Sequence, residues 1–335
     1  MALTINTNIS SLIAQRNLNS ATSALNTSIE RMTTGYTINH ASDNAAGYSI
    51  SNMWETQLGS LDVAADNAAT GSDMLTTAEE TYGLLVGHLQ RVRDLTEQAA
   101  NGTYGSQSLK AIQSEIVARL QEVNRISNNA EFNGIKLMSY VENPTDPKVN
   151  AEVGITARGI DLQVGLYADT NSIINLDVGL FSNASISGLF NGMSGLSTLL
   201  GKTSTTDVSG KLNSDDGLEI LAAACSGLTY DPTDGLALQV DATAGAKEML
   251  RFLDNAINEV SGRVTDIGSA QNRVASAITA LDVQAQNLTS SLSTLRDTDI
   301  AEESSNYIQA QILQQASATL LSTANQLPSV ALNLI

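Results

Sequence analysis

LRFLDNAINEVSGRVTDIGSAQNRVASAITALDVQAQNLTSSLSTL, residues 250–295, is the stretch on which the fold turns. Leu250, Leu253, Ile257, Val260, Val264, Ile267, Gln271, Val274, Ile278, Leu281, Ala285, Leu288, Leu292 and Leu295 recur at alternating steps of three and four, and only Gln271 is polar. A seam held over so many heptads calls for a helix packed in coiled-coil fashion. At ~1.5 Å per residue that helix is roughly 70 Å long, more than a compact domain needs. The seam fails at RDTDIAEE, residues 296–303, where Asp299 and Glu302 fall on seam positions. It resumes in a new frame with Ile308, Ile312, Ala316, Leu320, Ala324, Leu327, Ala331 and Leu334. The charged stretch therefore reads as a joint between two helical blocks.

The N-terminal half carries the same period. Ile5, Ile9, Leu12, Leu18, Ala21, Leu25, Ile29 and Met32 predict one amphipathic helix, with Gly35 as its stop. Leu61, Ala64, Ala68, Gly71, Leu75, Ala78, Tyr82, Leu85, Leu89, Val92, Thr96 and Ala99 predict a second, with Gly71 and Thr96 as weak members. NGTYGSQS, residues 101–108, predicts a turn. Leu109, Ile112, Ile116, Leu120, Val123 and Ile126 then predict a shorter helix ending between Asn128 and Gly134.

The middle differs. Residues 139–245 hold thirteen acidic and four basic side chains and three of the four prolines. Ile160, Leu162, Val164 and Leu166 alternate, as do Ile174, Leu176 and Val178, which predicts a β-hairpin over 160–178. Residues 180–245 are rich in Gly, Ser and Thr, with a short helix expected at Leu218–Cys225. High acidity suits an exposed position.

Charge is also uneven at the ends. Residues 1–29 carry only Arg16, and residues 304–335 carry no charged side chain at all. Free solvated tails are usually charged and poor in aliphatics, so these ends are built to be covered. The expected architecture is mainly α: an elongated antiparallel coiled-coil rod of N- and C-terminal helices, with a small β-hairpin and a variable central insert. The two terminal stripes are expected to pack on each other. Residues 1–41 with 297–335 would form an inner domain, 42–179 with 246–296 a helical domain containing the hairpin, and 180–245 a surface-exposed insert.

Several chemistries lack their residues. One cysteine, Cys225, makes neither an internal disulfide nor a CxxC metal site. His40 and His88 are far apart and not at HExxH spacing. Neither is expected to be catalytic: His40 falls in the linker after the first helix and His88 on the helical surface. No catalytic constellation and no cofactor is implied. A net charge of −18 disfavours nucleic acid. No run of ~20 apolar residues predicts membrane insertion, and MALTINTNISSL lacks the basic and apolar regions of a cleaved signal. Asp297, Asp299, Glu302 and Glu303 match no dedicated cation loop and read as a solvated linker.

At this point a family pattern is visible. INTNISSL, ALNTSIERMTTGYTIN and ASDNAAGYSIS between Ile5 and Ser51, LQRVRDL at 89–95, FNGIKL at 132–137, GSAQNRV at 268–274, AQILQQA at 310–316 and ANQLP at 324–328 together resemble a bacterial flagellin. The resemblance covers residues 1–140 and 246–335. It implies a subunit that assembles helically into the extracellular flagellar filament for motility, exported by the flagellar type III route. Its implied partners are further copies of the chain, an export chaperone, the filament cap and the hook-junction proteins. The apolar terminal residues Ile5, Ile9, Leu12, Leu25, Ile29, Ile308, Ile312, Leu320, Leu327 and Leu334 become the self-assembly stripe. The resemblance also implies a ligand of the innate receptor Toll-like receptor 5. Arg91, Leu95 and Glu115 match recognised family positions, flanked by Gln90 and Arg93. Arg91 and Glu115 are expected on adjacent helices, forming an exposed charged patch beside Leu95 as apolar anchor. Here Asp94, Thr96 and Glu97 depart from the family pattern. The same residues read equally as subunit contacts or an intrachain ion pair. A hook–filament junction protein and a surface adhesin remain the alternatives.

Overall fold

The computed structural model describes residues 8–138, 159–167, 169–190, 228–231, 235–238 and 242–332. Among the described residues, six helices carry the fold: α1 (Ile9–Thr34), α2 (Ala45–Ala99), α3 (Ser106–Asn129), the one-turn α4 (Ile186–Leu189), α5 (Ala242–Arg296) and α6 (Ile300–Leu332). Three antiparallel strand pairs accompany them: β1 (Glu131–Phe132) with β2 (Ile135–Lys136), β3 (Ile160–Gln163) with β4 (Ile173–Leu176), and β5 (Leu228–Asp231) with β6 (Gly235–Leu238). The fold is mainly α, as the periodicity predicts. The chain forms two compact units, Met1–Ser60 with Val283–Ile335, and Leu61–Asp282. The division falls inside α2 and α5, whereas the helix ends near 41 and 297 lie within the first unit.

In the second unit, α2 is the central helix. Arg91 pairs with Glu115 of α3, and Glu79 and Arg93 bond Gln271 and Asp254 of α5, so α2 runs antiparallel to both. Every member of the α2 stripe from Leu61 to Ala99 is buried. Its two weak members have physical explanations. A Cβ on Gly71 would collide with the Leu162 side chain of β3. Thr96 donates its hydroxyl to the Val92 carbonyl at 2.8 Å, which avoids the ~1–3 kcal/mol cost of an unbonded buried hydroxyl. On α5, Leu253, Val260, Ile267, Val274 and Leu281 are buried, and Gln271 donates to Glu79 at 2.8 Å. A third column, Met249, Ala256, Arg263 and Ala270, also turns inward. A two-column seam suits a single partner; a helix facing a broader core needs the wider stripe.

The hairpin β3–β4 pairs Ile160 with Leu176 and Gln163 with Ile173. It is shorter than the alternation predicts. Asp169 accepts from the Ser172 N–H and Asp177 from the Gly179 N–H, so each carboxylate starts a 3₁₀ turn that ends strand geometry. FNGIKL forms its own hairpin, β1–β2, around Asn133 and Gly134 at φ 49° and 81°, the left-handed pair a tight hairpin requires. The sequence reading did not assign it, nor β5–β6 within the insert. The helix expected at Leu218–Cys225 lies outside the described residues.

The first unit contains both chain joints. Gly35 caps α1 at φ 78° and donates to the Arg31 carbonyl at 2.9 Å. Asp43 accepts from the Asn39 and His40 N–H groups, which hold its carboxyl below the usual carboxylate range. Thr37 N–H donates to the Arg296 carbonyl and Thr298 N–H to the Gly35 carbonyl. Arg296 lies over the Tyr36 ring, 4.0 Å from its centroid, and bonds Glu55. The stretch expected to be a solvated linker is thus partly structured. Asp299 caps α6 through the Ala301 N–H at 2.8 Å, and Glu303 is buried.

Candidate functional site

The first candidate surface lies on α1 and α6. Asn8 donates to the Ala324 carbonyl at 2.7 Å, Gln314 to the Thr22 hydroxyl at 3.2 Å, and Arg31 faces Glu303 at 3.8 Å. The two helices are therefore antiparallel, as expected, but the residues between them are not those expected. Ala14, Ala21 and Ser28 of α1 and Glu303, Ala310, Ser317 and Ala324 of α6 are buried, each set recurring every seven residues. Ser11, Leu18, Leu25, Tyr307, Gln314 and Leu321 flank them, half-buried. Small side chains let the helix axes approach closely. A seam of Ile and Leu would hold them apart.

The wide aliphatics consequently face outward. Ile9, Leu12, Ile29, Ile308, Ile312 and Leu320 are 64%, 62%, 44%, 54%, 60% and 61% exposed. This corrects the expectation that the two terminal stripes bury each other. Of the remaining stripe residues, Leu25 is half-buried, and Ile5, Leu334 and the Leu327 side chain lie outside the described residues. Covering the six outward side chains is worth on the order of 10 kcal/mol per chain, before ordering costs. The face carries few ions, so its burial desolvates few charges. A groove of about 720 Å³ runs between the two helices, walled by Ser20, Ala24, Thr27, Gln309 and Ala316.

The second candidate surface is the Arg91 patch, within the second unit. Arg91 reaches Glu115 through Nε and Nη2, both at 3.0 Å, with Arg119 at 3.8 Å from the same carboxylate. Arg93 donates to Asp254 at 2.6 Å and to Glu97 at 3.3 Å. The Asp254 hydrogen bond raises the Arg93 pKa further above its already high value. The two arginines thus serve opposite neighbours, α3 and α5. Gln90 is exposed. Leu95 is not the exposed anchor expected. It is 2% exposed and belongs to the core, because its position on α2 faces the bundle. Thr96 is buried beside it and Glu97 is exposed. Surface pairs of this type contribute ~1 kcal/mol or less to stability.

A third cluster escaped the sequence reading. Arg263 is 9% exposed; it donates to the Ser182 carbonyl at 2.9 Å and to Glu259, and lies 6.0 Å from the Tyr82 ring centroid. Tyr82 donates its hydroxyl to the Leu180 carbonyl at 2.9 Å, and burial pushes its pKa up. Asn124 accepts from the Ile186 N–H, and Ala184 donates to the Met138 carbonyl. These bonds fasten the segment from Leu180 to Ile186 onto α2, α3, α5 and the turn that follows β2. The available signal was an arginine in an apolar column of α5. His88, expected on the surface, is half-buried with Nδ1 enclosed, while exposed His40 pairs with Glu30 at 2.8 Å.

Among the described residues, no group of three His, Cys, Asp or Glu is placed to hold a metal, and no helix is long and apolar enough to cross a membrane. The bacterial flagellin N-terminal helical region matches residues 5–142, and the bacterial flagellin C-terminal helical region matches residues 250–335. Polar flagellin F of Vibrio parahaemolyticus serotype O3:K6 is 33% identical over 100% of both chains. Flagellin B of Vibrio cholerae serotype O1 is 32% identical and flagellin D of Vibrio anguillarum 31%, again over 100% of both chains. Paired terminal helices with an outward apolar face, both family regions in order and relatives matching from end to end place the chain in the bacterial flagellin family, the structural subunits of the flagellar filament.

Proposed function

We propose that the outward face of α1 and α6 drives helical self-assembly of this extracellular filament subunit. The observation that carries the reading is the inversion just described. Small residues close the pair within one chain, and the wide aliphatics Ile9, Leu12, Ile308, Ile312 and Leu320 stay exposed. A repeated heterologous contact that does not close generates a filament. In this reading residues 1–41 with 297–335 form the inner layer, 42–179 with 246–296 the outer wall, and 180–245 the projecting insert. Export chaperone, cap and hook-junction proteins meet the same uncharged ends, and export follows the flagellar type III route. Electron microscopy of purified protein at moderate salt, with and without filament seeds, tests this beside a variant lacking residues 304–335. Long uniform tubes from the intact chain alone are expected. Monomers in both samples, even when seeded, point instead to a junction component or adhesin.

A second reading concerns the Arg91 patch. Gln90, Arg91, Arg93 and Glu115 form the part of it that a receptor can reach, and on this reading they contact Toll-like receptor 5, with Leu95 shaping the surface from beneath. Arg91→Ala is expected to lower signalling in receptor-bearing reporter cells at least several-fold with the melting temperature unchanged. Unchanged signalling leaves Arg91 an intrachain ion-pair residue only.

A further inference from the structure

The five methionines whose surroundings are described fall into two classes. Met74, Met138 and Met249 are 4%, 0% and 0% exposed and sit in the core of the second unit. Met32 and Met53 are 37% and 53% exposed, and both belong to the first unit. Met32 stands three residues beyond Ile29 on α1 and Met53 three beyond Ile50 on α2. Each therefore shares a helix face with an exposed aliphatic neighbour. Met32 thus continues the apolar stripe of α1, and every methionine described outside the first unit is shielded.

We propose that Met32 and Met53 are sites of peroxide oxidation in the unassembled subunit, and that their sulfoxides block entry into the filament while leaving the second unit folded. In the reaction, the thioether sulfur attacks one oxygen of hydrogen peroxide and the O–O bond breaks. Sulfur keeps that oxygen, the other leaves as hydroxide, and the proton on the retained oxygen passes to the hydroxide to give water and the neutral sulfoxide. The sulfur is oxidised by two electrons and the peroxide is reduced. The change turns a flexible apolar side chain into a polar one. Beside exposed Ile29 on α1 and exposed Ile50 on α2, a sulfoxide buried against apolar surface of another copy would lack a donor. In water the same sulfoxide is solvated at little cost. The penalty therefore falls on assembly and not on the monomer. On this proposal the covered surface extends from α1 to the start of α2, so that access to both sulfurs closes in the same step. The inference rests on the assembly reading above.

The test uses full-length monomer and preformed filaments, each treated with hydrogen peroxide, quenched with catalase and mapped by peptide mass spectrometry. In the monomer, Met32 and Met53 are expected to gain oxygen at least roughly tenfold faster than Met74, Met138 and Met249. In filaments they should be protected by a similar factor. Oxidised monomer should elongate seeds roughly tenfold more slowly, and methionine sulfoxide reductase should restore the rate. The Met32→Leu/Met53→Leu variant keeps side-chain volume, and its elongation rate, whatever its untreated value, should not fall on peroxide treatment. Equal oxidation of all five sites overturns the proposal, as does undiminished elongation by oxidised wild-type protein. So does a double variant as peroxide-sensitive as the wild type. If untreated wild-type protein itself fails to elongate seeds, the assembly reading fails instead, and the mapping separately reports whether the two sulfurs are selectively reactive.

Discussion

Arg263 shows how one charged side chain is kept inside a helical core. It is paired with Glu259, bonded to the Ser182 carbonyl and placed near the Tyr82 ring. Glu259 is 45% exposed and is re-solvated if Arg263 is removed, so the cost falls on the Ser182 carbonyl that loses its donor and on the space left beside the Tyr82 ring. Arg263→Ala is expected to destabilise the second unit by ~1–3 kcal/mol, read from urea denaturation, with secondary structure unchanged at zero denaturant. At the other extreme, Asp43 is fully exposed but locally bonded. Its folded pKa lies below the unfolded value. Its contribution to the 39–43 turn is therefore present above the ordinary carboxylate pKa of ~3.9 and is lost as pH falls through the folded pKa. A carboxyl NMR titration should place the Asp43 midpoint below that of unbonded aspartates. A midpoint at or above the ordinary value would mean that the two N–H bonds do not persist in solution. Thr96 and Leu95 share one lesson. Neighbouring positions on α2 both face the core, so a polar letter is tolerated where its hydroxyl bonds backward, and an apolar letter at a receptor-matched position need not be exposed.

At the scale of the element, the α1–α6 pair separates two roles that the sequence leaves superposed. Ala310→Leu should overpack the seam at a cost of ~1–3 kcal/mol and lower the cooperativity of α1–α6 unfolding seen by circular dichroism. Leu320→Ser should leave that transition in place and abolish seeded elongation. If Leu320→Ser melts the pair as severely as Ala310→Leu, the assignment of faces is wrong. The helices themselves were legible, because their apolar residues recur at three and four over many turns. Gly35, the turn at 101–108 and the joint at 296–303 were legible because glycine and clustered charge interrupt that period. The face of α1 and α6 that turns inward was not legible. Hydrophobicity ranks Ile312 above Ser317, whereas close helix approach prefers the smaller residue. The hairpin at 131–136 was missed because its two-residue strands are too short to alternate. Asn133-Gly134 alone signalled it.

For the whole molecule, charge and apolar surface are kept apart along the chain. Half of the net −18 belongs to residues 139–245, and residues 304–335 have no charged side chain. Assembly should therefore improve as salt rises from low values to ~0.15 M, because screening reaches exposed like charges at separations near the Debye length of ~8 Å. Light scattering of seeded growth across a salt series reads this directly. A rate that falls steadily from the lowest salt would assign the dominant force to attraction between opposite charges. The heptad spacing of Ala14, Ala21 and Ser28 against Ala310, Ser317 and Ala324 has one more consequence. A groove of near-identical small steps fits almost as well one notch along as in place. Shape alone thus gives the two helices a ratchet without a pawl. The bonds from Asn8 to Ala324 and from Gln314 to Thr22, with the Arg31–Glu303 pair, are the pawl. The alignment of the molecule's two ends is written in a few polar contacts, and the much larger apolar surface is left free to meet other copies.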